Sequence, residues 1–81
     1  MTNNQHKPAA IESYRRRRED VARLLDILDQ ELAKHAGLAE SAPGDWRYPG
    51  TMDFIRSSLL GIVEGLSGIE RDRIEETLAE V

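Results

Sequence analysis

Four consecutive arginines, Arg15, Arg16, Arg17 and Arg18, are the densest run of ionic chemistry in this sequence. Basic runs can neutralise phosphate backbones. On a helix, successive side chains point about 100° apart, so these four spread around the axis instead of forming one stripe. Glu12, Glu19 and Asp20 flank them and lower the local charge. A solvated charged turn is therefore the favoured reading, and contact with an anion or nucleic acid is the alternative. A second concentration lies in Asp45-Trp46-Arg47-Tyr48-Pro49-Gly50, which holds the only Trp and one of two Tyr residues. Trp46, Arg47 and Tyr48 are the residue types that dominate interface hot spots, so they are candidate partner contacts. In the blander reading, Trp46 folds over the open end of the helices. Gly61 and Gly65 form a GxxxG spacing, which suggests close helix approach or simple fraying.

No catalytic constellation assembles. His6 and His35 are the only imidazoles, and there is no cysteine. A lone His35 near a helix end is a capping or packing residue more often than a ligand or base, and no nucleophile–base–acid set accompanies it. The carboxylates Glu70, Asp72, Glu75, Glu76 and Glu80 are spaced as a solvated acidic face, with a basic partner surface as the alternative. No phosphate loop, calcium loop or metalloprotease motif is present. The expectation is a non-enzyme with no cofactor and no metal.

The elements that must position these residues follow from periodicity. Ile11, Tyr14, Arg18, Val21, Leu25, Leu28, Leu32 and His35 recur at alternating spacings of three and four, the a/d ladder of a coiled-coil-like seam. Leu24 widens that seam and Ile27 lies on its far flank. One helix is predicted over about 9–36, roughly 40 Å long, with Gly37 as the left-handed residue that stops it. Pairs such as Glu12–Arg16, Arg15–Glu19 and Glu19–Arg23 are expected to decorate it. Residues 37–51 read as a loop punctuated by Pro43-Gly44 and Pro49-Gly50, with Thr51 as the next N-cap. A second helix is predicted over 52–66, with Met52, Ile55, Leu59, Ile62, Val63 and Leu66 as its stripe and Phe54 and Leu60 off it. A third covers 69–79. Residues 1–8 are polar and read as a disordered tail.

The fold class expected is all-α: a helical hairpin, one long helix packed against two shorter ones. Eighty-one residues make one small domain, near the lower limit of independent stability. Without disulfides or a metal, oligomerisation is the remaining device. A hairpin two helices thick leaves apolar side chains wet, at roughly 1.5–3 kcal/mol each. Dimerisation into a four-helix-type bundle would cover them. The seam would comprise Val21, Leu24, Leu25, Leu28, Leu32, Ile55, Leu59, Ile62 and Leu66. A monomeric three-helix bundle is the alternative.

The net charge is −4, unevenly placed. Residues 1–36 hold seven Lys and Arg against six Asp and Glu, a balance of +1; residues 37–81 hold four against nine, a balance of −5. That argues mildly against a general nucleic-acid binder. The polar N-terminus reads as no signal peptide, and no apolar run approaches membrane-spanning length. Lack of cysteine fits a reducing cytoplasm. The function expected is a homodimeric adaptor, regulator or accessory subunit that also binds another protein, without a membrane. The alternative is a small dimeric nucleic-acid-binding regulator using Arg15 to Arg18.

Overall fold

The computed structural model describes residues 2–80, with side chains described over 9–80. The described chain contains three helices and no strand: α1 (Thr2–Ser41), α2 (Arg47–Ser67) and α3 (Arg71–Ala79). They fall into two units, Met1–Ala42 and Pro43–Val81.

The first unit is α1. Its bounds open at Thr2; the tail expected over 1–8 lies outside the residues whose side chains are described. At the other end, the expected stop at Ala36 is corrected. Gly37 has no positive φ and lies inside the helix, which continues to Ser41. Leu38, Ala39 and Glu40 are good helix formers that offset the roughly 1 kcal/mol cost of one glycine. Ser41 Oγ donates back to the Gly37 carbonyl at 3.0 Å, and the Ala42 N–H reaches the Ala39 carbonyl at 3.1 Å in a tightened last turn. The terminator is Pro43, which disfavours helical dihedrals in the residue before it.

The second unit is α2 and α3. The loop expected over 37–51 shrinks to residues 42–46, because α2 starts at Arg47 and not at Met52. Pro49, read as a turn former, sits in the first helical turn, where its missing N–H costs nothing. The Asp45 carbonyl, which position 49 would normally bond, takes the Tyr48 N–H instead, at 3.4 Å. Thr51 is not the N-cap: its hydroxyl donates to the Arg47 carbonyl one turn back, at 3.1 Å. α2 ends where Gly68 adopts φ 75°, with its N–H donating to the Glu64 carbonyl at 2.9 Å. That is the αL stop that glycine makes without steric penalty. α3 begins at Arg71, not Ile69, since Ile69 and Glu70 complete the turn and Glu70 is extended (φ −63°, ψ 145°).

The buried centre of this unit is Leu60, 4% exposed. This corrects the expected core. Leu60 lies about 120° around α2 from the middle of the Met52–Leu66 stripe at 100° per residue. α3 therefore seats on the flank that carries Arg56, Ser57, Leu60 and Glu64, facing it with the half-buried Arg71, Ile74 and Glu75. The stripe lies elsewhere on α2: Ile62, Val63 and Leu66 are exposed, Leu66 to 87%.

Candidate functional site

Three features of the described chain bear on function: the knob that opens α2, the bracket that joins α2 to α3, and two apolar helix faces.

The knob is built by Asp45. Its carboxylate accepts the Arg47 backbone N–H at 3.0 Å, which makes Asp45 the working cap of α2. It also accepts the side edge of the Arg47 guanidinium: Nε at 3.0 and 3.1 Å and Nη2 at 2.6 Å. This two-pronged pair is the geometry that arginine provides and lysine does not. The Arg47 side chain and backbone N–H hold the Asp45 carboxyl below its usual range, and Asp45 in turn raises Arg47. Between them stands Trp46, with helical dihedrals (φ −71°, ψ −9°) and 83% of its surface exposed. The reading of Trp46 as a cover over the helix ends is corrected: its neighbours are locked to each other, and the indole projects outward from the first turn. Tyr48, by contrast, is half-buried and engaged. The structure thus sets Trp46 and Arg47 together on the exposed knob and turns Tyr48 partly inward.

The bracket is Glu64. Its backbone carbonyl closes α2 through Gly68, and its carboxylate accepts the Arg71 N–H that opens α3, at 3.0 Å. A negative charge there also meets the positive end of the α3 dipole. Arg71 Nη2 donates to Ser57 Oγ at 2.9 Å, and Ser67 Oγ accepts the Ile69 N–H at 3.0 Å. Arg56 Nη2 reaches Glu75 Oε1 at 2.5 Å, and that hydrogen bond lowers the Glu75 carboxyl while raising Arg56. These residues ring Leu60 and hold the turn. Sequence reasoning missed them, apart from placing Glu75 on an exposed acidic face; the one available signal was an Asp or Glu seven residues before a helix start, which is too common to act on.

The apolar faces are the expected seam. On α1, Val21, Leu24 and Leu25 are more than half exposed, Leu24 to 61%, whereas Leu28 and Leu32 are half-buried. On α2, Ile55 is half-buried and Leu59, Ile62 and Leu66 are exposed. A Cβ built on Gly61 or Gly65 meets nothing within 4 Å, so no described part of the chain approaches the GxxxG face closely.

The arginine turn is exposed throughout. Arg17 donates to Ser13 one turn back. Among the described residues Arg15, Arg16, Arg18 and Arg23 form no ion pair, so the expected Glu12–Arg16, Arg15–Glu19 and Glu19–Arg23 pairs are corrected; Lys34 pairs with Glu31, at 3.0 Å. Such exposed pairs gain a few tenths of a kcal/mol at most, little more than the side-chain entropy they cost. His35 is half-buried and engaged. Among the described residues, no group of three His, Asp or Glu converges on a point that could hold a metal ion, and no helix is long and apolar enough to cross a membrane.

Comparison with protein-family models, with curated proteins and with solved structures finds no match.

Proposed function

We propose that this chain is a small non-catalytic interaction protein: a homodimeric adaptor, regulator or accessory subunit. In this reading its helical hairpin pairs with a second copy as a four-helix-type bundle. One observation carries it. α3 takes the Leu60 flank of α2, and the stripe through Ile62, Val63 and Leu66 stays exposed, as do Val21, Leu24 and Leu25 on α1. Large apolar side chains grouped on one exposed helix face support an interface reading. The knob of Trp46 and Arg47 supplies the contact for another protein, since an exposed indole beside a rigid ion pair is a preorganised anchor. A cytoplasmic setting, expected from the lack of cysteine, belongs to the same proposal.

The test is the mass in solution across a concentration series, for the native chain and for Ile62→Asp with Leu66→Asp. The native chain is expected to be dimeric and the double variant monomeric, while Trp46→Ala stays dimeric and loses the second partner. A single-chain mass at the highest concentration, without binding of an apolar dye, would end the reading.

The unpaired guanidiniums of Arg15, Arg16 and Arg18 favour a second reading, a dimeric nucleic-acid-binding regulator. The acidic balance of residues 37–81 weighs against it. Phosphate binding would weaken steeply with salt and vanish in Arg16→Glu with Arg17→Glu; partner binding through Trp46 would tolerate both changes.

A further inference from the structure

We infer that α1 pairs with α1 of a second copy antiparallel, centred on Arg23, in a register fixed by four ion pairs between the copies: Arg15 with the partner's Asp29, Arg17 with the partner's Glu31, and the two symmetry mates. The inference rests on the dimeric reading above and specifies its geometry. The ladder runs from Ile11 to His35, and its midpoint is residue 23. Antiparallel overlap of the whole ladder therefore places each ladder residue opposite the one equally far on the other side of 23, whereas positions on the two flanking edges lie off that line and meet their own edge, e against e and g against g. Val21 then faces the partner's Leu25 in the central layers. Leu24 meets its own copy across the two-fold axis. All three are more than half exposed on α1, so these layers are open to a partner.

The flanking charges select the same register independently. Beside an a/d seam, the e and g positions decide partner and orientation. On α1 these are Arg15 and Asp29 on one edge and Arg17 and Glu31 on the other. In an antiparallel pair each edge meets its own kind. With residue 23 at the centre, both arginines meet carboxylates at once. Slide the helices by one heptad either way and Arg15 and Arg17 face Ala36 and Leu38, or Ala22 and Leu24. A parallel pair aligns no opposite charges on its edges and sets Arg18 against the partner's Arg18 in the seam. Arg15 and Asp29 make no ion pair among the described residues, Arg17 has only the Ser13 hydroxyl, and Glu31 has only the exposed Lys34. α1 is unbroken through both sets, since Gly37 stays helical and the stop comes at Pro43. Arg15 and Arg17 thus act in self-association, leaving Arg16 on the outer face.

Because the chain has no cysteine, single cysteines report the register directly. Disulfides form only where Cα atoms come within about 7 Å. Full-length Val21→Cys and Leu25→Cys are oxidised separately and mixed, with solution mass measured first. The expected result is a dimeric mass and a crosslink in the mixture, not in either alone. Crosslinking of Val21→Cys with itself overturns the antiparallel orientation and leaves the dimer. Crosslinking of Leu25→Cys with Leu28→Cys in preference overturns the register. A dimer in which none of these crosslinks removes α1 from the interface, and a monomeric mass removes the dimer itself. Charge exchange gives a test free of cysteine. Arg15→Glu with Arg17→Glu, and separately Asp29→Arg with Glu31→Arg, should each weaken self-association by roughly 100-fold, as four attractions become repulsions. Mixing the two variants restores all four pairs and should return native-like association. Failure of the mixture to associate, with each variant still helical, overturns the pairing.

Discussion

Along α1 the large apolar residues Val21, Leu24 and Leu25 stand more than half in water, whereas in the α2–α3 unit Leu60 is sealed and ringed by directed hydrogen bonds. The first unit carries most of its apolar residues on one long face and is a single continuous helix, with a few local side-chain bonds such as Ser41 to the Gly37 carbonyl. The second spends one leucine and a handful of polar groups on a local turn and keeps the rest of its apolar stripe uncommitted. On α2 the flank of Leu60 serves burial within the unit, and the stripe through Ile62 and Leu66 stays exposed; the proposed dimer would draw on that second face.

The largest expected effect that could break this contrast comes from Leu60→Ala. Truncating the sealed residue should cost about 2–4 kcal/mol, release α3 to fast amide exchange and leave α1 exchange unchanged at high dilution. Equal loss of protection along α1 would show that the two units are not separately held. Glu64→Ala comes next. It removes the carboxylate that opens α3 and should cost about 1–2 kcal/mol in the unfolding of that turn; Gly68→Ala, forced to φ 75°, should add about 1 kcal/mol. Glu64→Gln, which keeps an acceptor without the charge, should recover part of the loss in urea titrations.

Gly37→Ala sharpens the other side of the comparison. Gly37 is helical and nothing lies within 4 Å of a Cβ built there, so alanine should stabilise α1 by about 0.5–1 kcal/mol and raise its thermal midpoint. A loss there would mean that a second chain approaches the Gly37 face. The smallest effect is on acidification. The Arg56 hydrogen bond lowers the Glu75 carboxyl, so the folded unit binds that proton less readily than the unfolded chain. The stability it contributes is present above the ordinary glutamate range and fades as pH falls through the lowered folded value. Both side chains keep a large share of their surface in water, which keeps the effect small. Glu75→Gln should flatten the acid limb of an α2–α3 melt and leave its neutral-pH helicity nearly unchanged.

The three helices and their order were legible in the sequence, the first two and their apolar stripes from the periodicity of Ile11 to His35 and of Met52 to Leu66. Their ends were not. Gly37 and Pro49 are punctuation by composition, yet one keeps helical dihedrals and the other fills a position that needs no N–H. Only backbone geometry separates a glycine that stops a helix, as Gly68 does, from one that does not. The seating of α3 was equally hidden. Period tells which residues share a face, not which face the next helix takes; that choice depends on Gly68, Glu64 and the reach of Arg56 to Glu75, nineteen positions away. Trp46, Arg47 and Tyr48 were legible as candidate contacts by residue type, but the exposure of Trp46 and the pairing of Arg47 with Asp45 were not.

Trp46 is the sole indole in the chain, and it projects into solvent from a rigid first turn. Its fluorescence is therefore a built-in optical probe of the knob alone. Emission should be red-shifted and readily quenched by iodide in the free protein, with no background from a second fluorophore of that class. A blue shift on adding any candidate protein would register contact at that turn without labels, and its titration midpoint would read the affinity.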